Sequence, residues 1–343
     1  MNYYTRQFQN LLKKYELDVI IVYANTYNGR YMKATAGTYP VLQNYIVILP
    51  ASAYITETRY LKLDMQGRTK LKIVSTDGED FGFDEIQKRI EPGKKIGIVG
   101  DVKYRDIVSI KPKKVVDLTE KADAIISHKT DEYIQTIASL AKTTVNIMDS
   151  VFFKTGDNIL DWDKKIHGEV VRMGAELSFP VCIASGKDLK ETTTVLPQNK
   201  KIAKQDMICI DMGLANDICI TDRTRMYFVN HPRAEKIWKD IIGIHHTVIQ
   251  TFVAPGKSFR EVIGEYKRIA KKYDSFSEVL EEDFGHGIGF ALHEKPILEK
   301  TNDRIQPNSI FTLEPTFVTK YGKMRIEDMI GVLSDGKVVN LTS

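Results

Sequence analysis

Four carboxylates and one imidazole, Asp211, Asp222, His286, Glu314 and Glu327, punctuate apolar, strand-like runs in the C-terminal half of this 343-residue chain. Carboxylates drawn together in an interior repel one another unless cations lie between them. Segments far apart in sequence must therefore converge on one small volume, and few folds allow that. Met207–Ile210 and Ile218–Thr221 lead into the two aspartates, with Gly213 and Asn216-Asp217 supplying turn residues between them. A hairpin turning at residues 215–218 sets Asp211 opposite Asp222 on one face, with Cβ atoms roughly 5 Å apart. Phe311–Glu314 and Met324–Glu327 repeat the pattern about the turn Lys320-Tyr321-Gly322-Lys323.

His286 sits among Gly285, Gly287 and Gly289, a setting that implies close backbone approach or unusual dihedrals. His293 follows within reach of the same cleft. His128, His167, His231, His245 and His246 lack such surroundings and are expected to pack or to face solvent. Hard oxygen donors with one imidazole and no thiolate favour two divalent ions, Mn²⁺, Co²⁺, Fe²⁺ or Zn²⁺, over a structural zinc cage. Such a pair lowers the pKa of a water between them, polarises a carbonyl and stabilises a tetrahedral intermediate. Amide hydrolysis uses all three effects. Phosphoester hydrolysis is disfavoured, because spare arginines and anion-cradling glycine loops are few around these residues.

The length predicts two domains. Residues 1–125 alternate helix and strand patterns and read as a small α/β domain, with strands at Val19–Tyr23, Tyr45–Leu49, Ala53–Thr58, Leu71–Thr76, Ile96–Val99 and Val115–Leu118. Gly97-Ile98-Val99-Gly100 lacks the three-glycine fingerprint of a dinucleotide site and reads as a strand ending in a turn. Thr130 with Asp131 and Glu132 is a helix start. It opens an α+β domain over 126–343, with helices outside a largely antiparallel sheet and strands at Met207–Met212, Ile218–Phe228, Ile310–Val318 and Met324–Leu333. A net charge of +4, spread over both halves, argues against nucleic acid as a partner. No apolar run reaches membrane-spanning length, and no secretory segment is evident at the N-terminus. Cys182, Cys209 and Cys219 form no C-x-x-C pair, which points to free thiols in a reducing cytoplasm.

At Ile210-Asp211-Met212-Gly213, Asp222-Arg223-Thr224-Arg225, Gly285–Gly289, Leu313-Glu314-Pro315 and Arg325-Ile326-Glu327-Asp328 the chain resembles the pita-bread metallopeptidases, the family of methionine aminopeptidase, prolidase and aminopeptidase P. Thr56-Glu57-Thr58-Arg59-Tyr60 resembles the creatinase-type N-terminal domain of prolidases, so the likeness spans essentially the whole chain. The resemblance implies that Asp211 chelates one metal, that Asp222 and Glu327 bridge both, and that His286 and Glu314 complete the second. It makes Glu314 the proton shuttle for a water held between the metals and gives His293 a contact to the substrate carbonyl. Thr224 and Arg325 become supports of the ligands. The implied substrate is a small peptide with proline after the scissile bond, cleaved by a homodimeric dipeptidase or aminopeptidase. One position departs from the pattern: where the family places another histidine, this chain has Thr194, which cannot become a cation near neutral pH. A peptide-binding module and a metal-free, creatinase-like amidinohydrolase are the alternatives. Relatives of both kinds do without the metal ligands, whereas all five stand here.

Overall fold

The computed structural model describes residues 2–25, 29–40, 43–58, 67–76, 82–280 and 282–343. Two compact units divide the chain, Met1 to His128 and Lys129 to Ser343.

In the first unit a helix at Tyr3–Lys14 is started by the Asn2 side chain, which accepts the Thr5 N–H at 2.9 Å. Strand β1 (Val19–Asn25) is apolar from Val19 to Ala24 and buried throughout that run, as suits a central strand covered on both faces. It pairs antiparallel with β2 (Gln43–Ile48) and parallel with β5 (Lys95–Val99). Strands β3 (Ala53–Thr58), β4 (Lys72–Thr76) and β6 (Lys114–Asp117) complete the order β4-β3-β2-β1-β5-β6. Ile21, Tyr45, Val47, Phe83 and Ile86 form the centre of its core. Of the Thr56–Tyr60 phrase, Arg59 and Tyr60 lie outside the described residues.

The second unit starts at the helix Asp131–Asp149, capped by the Thr130 hydroxyl. The helix Ile159–Arg172 follows. Two further helices, Pro232–Phe252 and Phe259–Ala270, bury Trp238, Ile241, Val248 and Tyr266 against Phe284, Phe311 and Leu313. Ser258 and Glu261 form a reciprocal capping box at the start of the last helix. The single antiparallel sheet expected from sequence is divided. Besides the two-stranded pair of β7 (Glu176–Leu177) with β10 (Leu214–Ala215), the described residues of this unit form three sheets. One holds β8 (Cys182–Ser185), β9 (Asp206–Met212) and β11 (Arg223–Val229). A second holds β12 (Phe276–Val279), β16 (Thr316–Thr319) and β17 (Gly322–Arg325). The third has five strands: β13 (His286–Gly287), β14 (Glu294–Ile297), β15 (Ser309–Leu313), β18 (Asp328–Val332) and β19 (Val338–Asn340).

The run predicted as one strand over Ile310–Val318 breaks at Glu314-Pro315, and its partner breaks at Ile326-Glu327. The register survives the break, with Leu313 opposite Asp328 on one side and Thr316 opposite Arg325 on the other. At the break Ile326 N–H still donates across the hairpin to Pro315 O at 3.4 Å, but the two glutamates bond elsewhere: Glu314 N–H donates to Phe284 O, and Glu327 N–H donates to Thr224 O. Pro315 has no N–H with which to continue the ladder. One long hairpin thus passes from one sheet to the next at its two glutamates.

A second crossing depends on Gly213, where a Cβ would lie 1.8 Å from the Thr221 carbonyl oxygen. Gly213→Ala is therefore expected to destabilise the protein by about 2 kcal/mol or more in urea unfolding. Gly243→Ala, in the open middle of the helix Pro232–Phe252, should stabilise it by roughly 0.5–1 kcal/mol. Equal effects of the two changes would remove the close approach at residue 213 as a requirement of the fold.

Candidate metal centre

Asp211 lies on β9 between Cys182 of β8 and Thr224 of β11. The hairpin that leads to Asp222 turns one residue later than the sequence suggested: Asn216 N–H donates to Cys219 O, and Thr221 N–H donates to Leu214 O. Asp211 therefore opposes Thr224 and not Asp222. Asp222 stands two residues before Thr224, so the strand pleat still turns both aspartates to one face. The expected β11 start at Ile218 fails because Thr221 bends inward, its Oγ1 accepting the Leu214 N–H at 2.8 Å.

The glutamate hairpin brings its two carboxylates to the same place. Thr224 Oγ1 donates to Glu327 Oε2 at 2.8 Å. Arg325 Nη1 donates to Glu314 Oε2 at 3.1 Å, while its Nε is held by Thr316 Oγ1 at 2.9 Å. Thr312 Oγ1 accepts the His286 N–H at 3.0 Å and lies 3.3 Å from Glu314 Oε1, tying the histidine to the glutamate strand. Gly285, at φ +147°, lets this segment pass so near β15 that a Cβ would meet Thr312 O at 2.2 Å. The His286 Nδ1 faces the Gly287 carbonyl at 3.0 Å, which turns Nε2 inward. Nε2 then lies 3.5 Å from Glu314 Oε1 and 3.8 Å from Asp222 Oδ2.

One cavity of about 410 Å³ is walled by Asp211, Asp222, His286, His293, Glu314 and Arg325, with Thr194 on its rim. Glu327 and Thr224 lie beneath, fully buried. The His293 ring packs edge-on against His286 with centroids 4.2 Å apart. Thr194 is exposed, in a loop before β9, and its N–H donates to Thr192 Oγ1. The structure thus gathers every residue singled out in the sequence into one place.

Sequence reasoning passed over a layer below. Arg225 Nη1 donates to the carbonyls of Glu327 (2.6 Å) and Thr224 (3.0 Å), and Nη2 pairs with Asp328. Asp328 also meets His245 Nε2 at 3.2 Å, and Tyr266 OH lies 2.7 Å from the other ring nitrogen. His245, expected to pack or to face solvent, is a member of this buried polar chain. A basic residue inside strand β11 and a second acid directly after Glu327 were the available signals.

Burial dominates the electrostatics. It raises the Asp222 carboxyl well above its ordinary value, reinforced by Glu327, Asp211 and Glu314. Glu327 is raised likewise by burial, then by Glu314 and Asp211. Burial pushes Glu314 up to about 8 against the pull of Arg325. It pushes His286 down to about 3, with His293 adding to the effect. Metal-free, these groups must hold protons or repel. Asp211 Oδ1, Asp222 Oδ1 and Glu327 Oε1 are buried and have no hydrogen-bond donor. Ligand atoms of Asp222, His286 and Glu327 lie within 4.8 Å of one another. Orphaned anionic oxygens beside an imidazole nitrogen fit a divalent cation.

Such a donor set on the wall of a cavity is what a metal-dependent hydrolase requires. Residues 133–333 match metallopeptidase family M24, and the chain belongs to that family. A Xaa-Pro dipeptidase of Pyrococcus furiosus is 25% identical over 322 residues, covering 88% of each chain. The prolidase of Pyrococcus horikoshii superposes with a TM-score of 0.83 at 20% identity, over 100% of this chain and 98% of that one. An X-Pro aminopeptidase of Thermotoga maritima superposes at 0.81 with 17% identity, over 96% of each. At these identities the superpositions speak for the fold, which is the pita-bread fold, following a smaller α/β unit in the chain. Among the described residues no helix is long and apolar enough to cross a membrane.

The raised carboxyls fix the sign of a pH effect. Glu314 titrates near 8 in the fold against an ordinary 4.5, so the folded state holds more protons and loses stability as pH rises through that window. The depressed imidazoles oppose this only below about 6.5. Metal-free protein should lose about 1 kcal/mol of unfolding free energy between roughly pH 7 and 8.5, and saturating Mn²⁺ should abolish the loss. A flat or rising profile in urea titrations of chelated protein would contradict the protonated cluster.

Proposed function

We propose that this chain is a metal-dependent peptidase that cleaves the bond before proline in short peptides, as a dipeptidase or an N-terminal aminopeptidase. The observation that carries this reading is the trio of orphaned carboxylate oxygens beside His286 in a cavity of a family M24 chain. The relatives named as Xaa-Pro dipeptidase and prolidase support the choice of bond. Asp211 would hold one ion, His286 and Glu314 the other, with Asp222 and Glu327 shared between them. Manganese, cobalt, iron or zinc suits these donors. Once bound, the ions supply Lewis acidity, lowering the pKa of water and polarising the scissile carbonyl.

The protein groups do the remainder. Glu314, placed against Arg325, takes the proton from the attacking water and returns it to the departing proline nitrogen as the C–N bond breaks. His293 donates a hydrogen bond to the carbonyl oxygen as negative charge develops there. Thr224 and Arg325 hold Glu327 and Glu314 in place, so neither carboxylate reorients during turnover. A bond preceding proline is a tertiary amide without an N–H, so the site needs no acceptor for one.

The test is hydrolysis of Xaa-Pro dipeptides and longer Xaa-Pro peptides with added Mn²⁺ or Co²⁺, alongside metal analysis of protein purified without chelator. Cleavage is expected only with metal, and chelation should abolish it reversibly. Glu314→Gln should keep the fold and lower kcat by about 100-fold or more. Thr194→His should raise kcat/KM about tenfold by restoring a cationic donor at the rim. A protein that holds no metal and cleaves neither substrate type is a peptide-binding module instead.

A further inference from the structure

Lys129 and Glu294 form an ion pair at 2.6 Å with side chains only 1% and 3% exposed, and neither has a part in the chemistry above. Lysine is almost never buried this completely, and a pair so enclosed is held against a large desolvation penalty. Its surroundings show what it controls. Glu294 Oε2 receives Lys129 Nζ, while Oε1 accepts the N–H groups of Phe290 at 2.7 Å and Ala291 at 2.9 Å. Gly287 pairs with Glu294 across β13 and β14, so one carboxylate closes the loop between them upon itself. His286 and Gly287 form the strand that enters that loop, and His293 is its last residue.

Lys129 also anchors the loop from outside. Its ammonium lies 4.8 Å from the Phe290 ring centre, and that ring packs on Tyr133 at 4.3 Å. Gly289, at φ +143°, is pressed so close that a Cβ would stand 2.8 Å from Lys129 Cε. The Gly289 carbonyl accepts the Ile220 N–H at 2.8 Å, which lays the segment leading into Asp222 against the same loop. The backbone of Lys129 is itself fixed, its N–H donating to Asn308 O and its O accepting from Asn308 Nδ2.

We propose that the buried Lys129–Glu294 pair is a positioning device. Glu294 fixes the loop that aims His293 into the cavity, and Lys129 makes an ionised carboxylate tenable at that depth. The kinetic part of this inference rests on the peptidase reading; its structural part does not. His286 keeps its own anchor, the Thr312 hydroxyl, so releasing the loop should disturb His293 far more than metal binding.

Lys129→Met alone strands a buried carboxylate and mixes folding with function, so two double variants carry the test. In Lys129→Met/Glu294→Gln an amide oxygen still faces both loop N–H groups without needing a counter-charge. In Lys129→Met/Glu294→Leu the packing volume remains and the acceptor is gone. The leucine double should fold and keep its metal, while the Phe290 and Ala291 amides exchange at least about tenfold faster and kcat on a Xaa-Pro dipeptide falls about tenfold or more at little-changed KM. The glutamine double should hold amide protection and kcat within about threefold of the parent. Unaltered kcat in a folded leucine double whose amides exchange faster would overturn the positioning role, and unaltered exchange would overturn the loop closure itself. If the parent protein cleaves no Xaa-Pro peptide, the peptidase reading fails, and amide exchange alone then decides the structural claim.

Discussion

Electrostatic repulsion among buried carboxylates is the unfavourable fact around which the second unit is organised. Desolvation alone pushes Asp222, Glu314 and Glu327 toward their protonated forms, and their mutual proximity adds to it. The protein opposes this with limited means: Arg325 and the Thr312 hydroxyl on Glu314, and the Thr224 hydroxyl on Glu327. Those contacts orient the oxygens without neutralising them. The carboxylate oxygens left without donors are what fit the site to a divalent cation.

Two adjacent residues, Glu327 at the break and Asp328 at the start of β18, show how local that control is. Burial works to raise Asp328 as it does Glu327, yet Arg225 and His245 hold Asp328 well below the ordinary carboxylate range. Glu327, one residue earlier, goes the other way. The ionised neighbour secures Arg225, and Arg225 in turn clamps the carbonyls of Thr224 and Glu327. A saturated ion network thus forms the floor beneath an unsaturated one.

Much of this was legible in the sequence. The five phrases name the donors, and the glycines about His286 announce close backbone approach, because only glycine accommodates the Thr312 carbonyl beside residue 285. The hairpin register was less legible. Asn216 as a turn residue does not say whether the reversal centres on 216 or one residue later, and the side chain of Thr221 decides it by bonding Leu214. The division of the sheet was invisible for a different reason. Apolar patterning runs straight through Glu314 and Glu327, and only tertiary partners, Phe284 and Thr224, draw their N–H groups out of the ladder. Lys129 gave no sign of its burial, since its partner lies 165 positions away along the chain.

The passage of the hairpin between two sheets has a mechanical corollary. Glu314 and Glu327 stand where β15 and β18 of one sheet become β16 and β17 of another, while Asp211 belongs to a third. Ions held as proposed, with Asp222 and Glu327 shared between them, would rivet the three sheets together. Loading them would merge layers that otherwise loosen separately into a single cooperative block, so on the proposed reading metal occupancy would set the rigidity of the second unit as well as its chemistry.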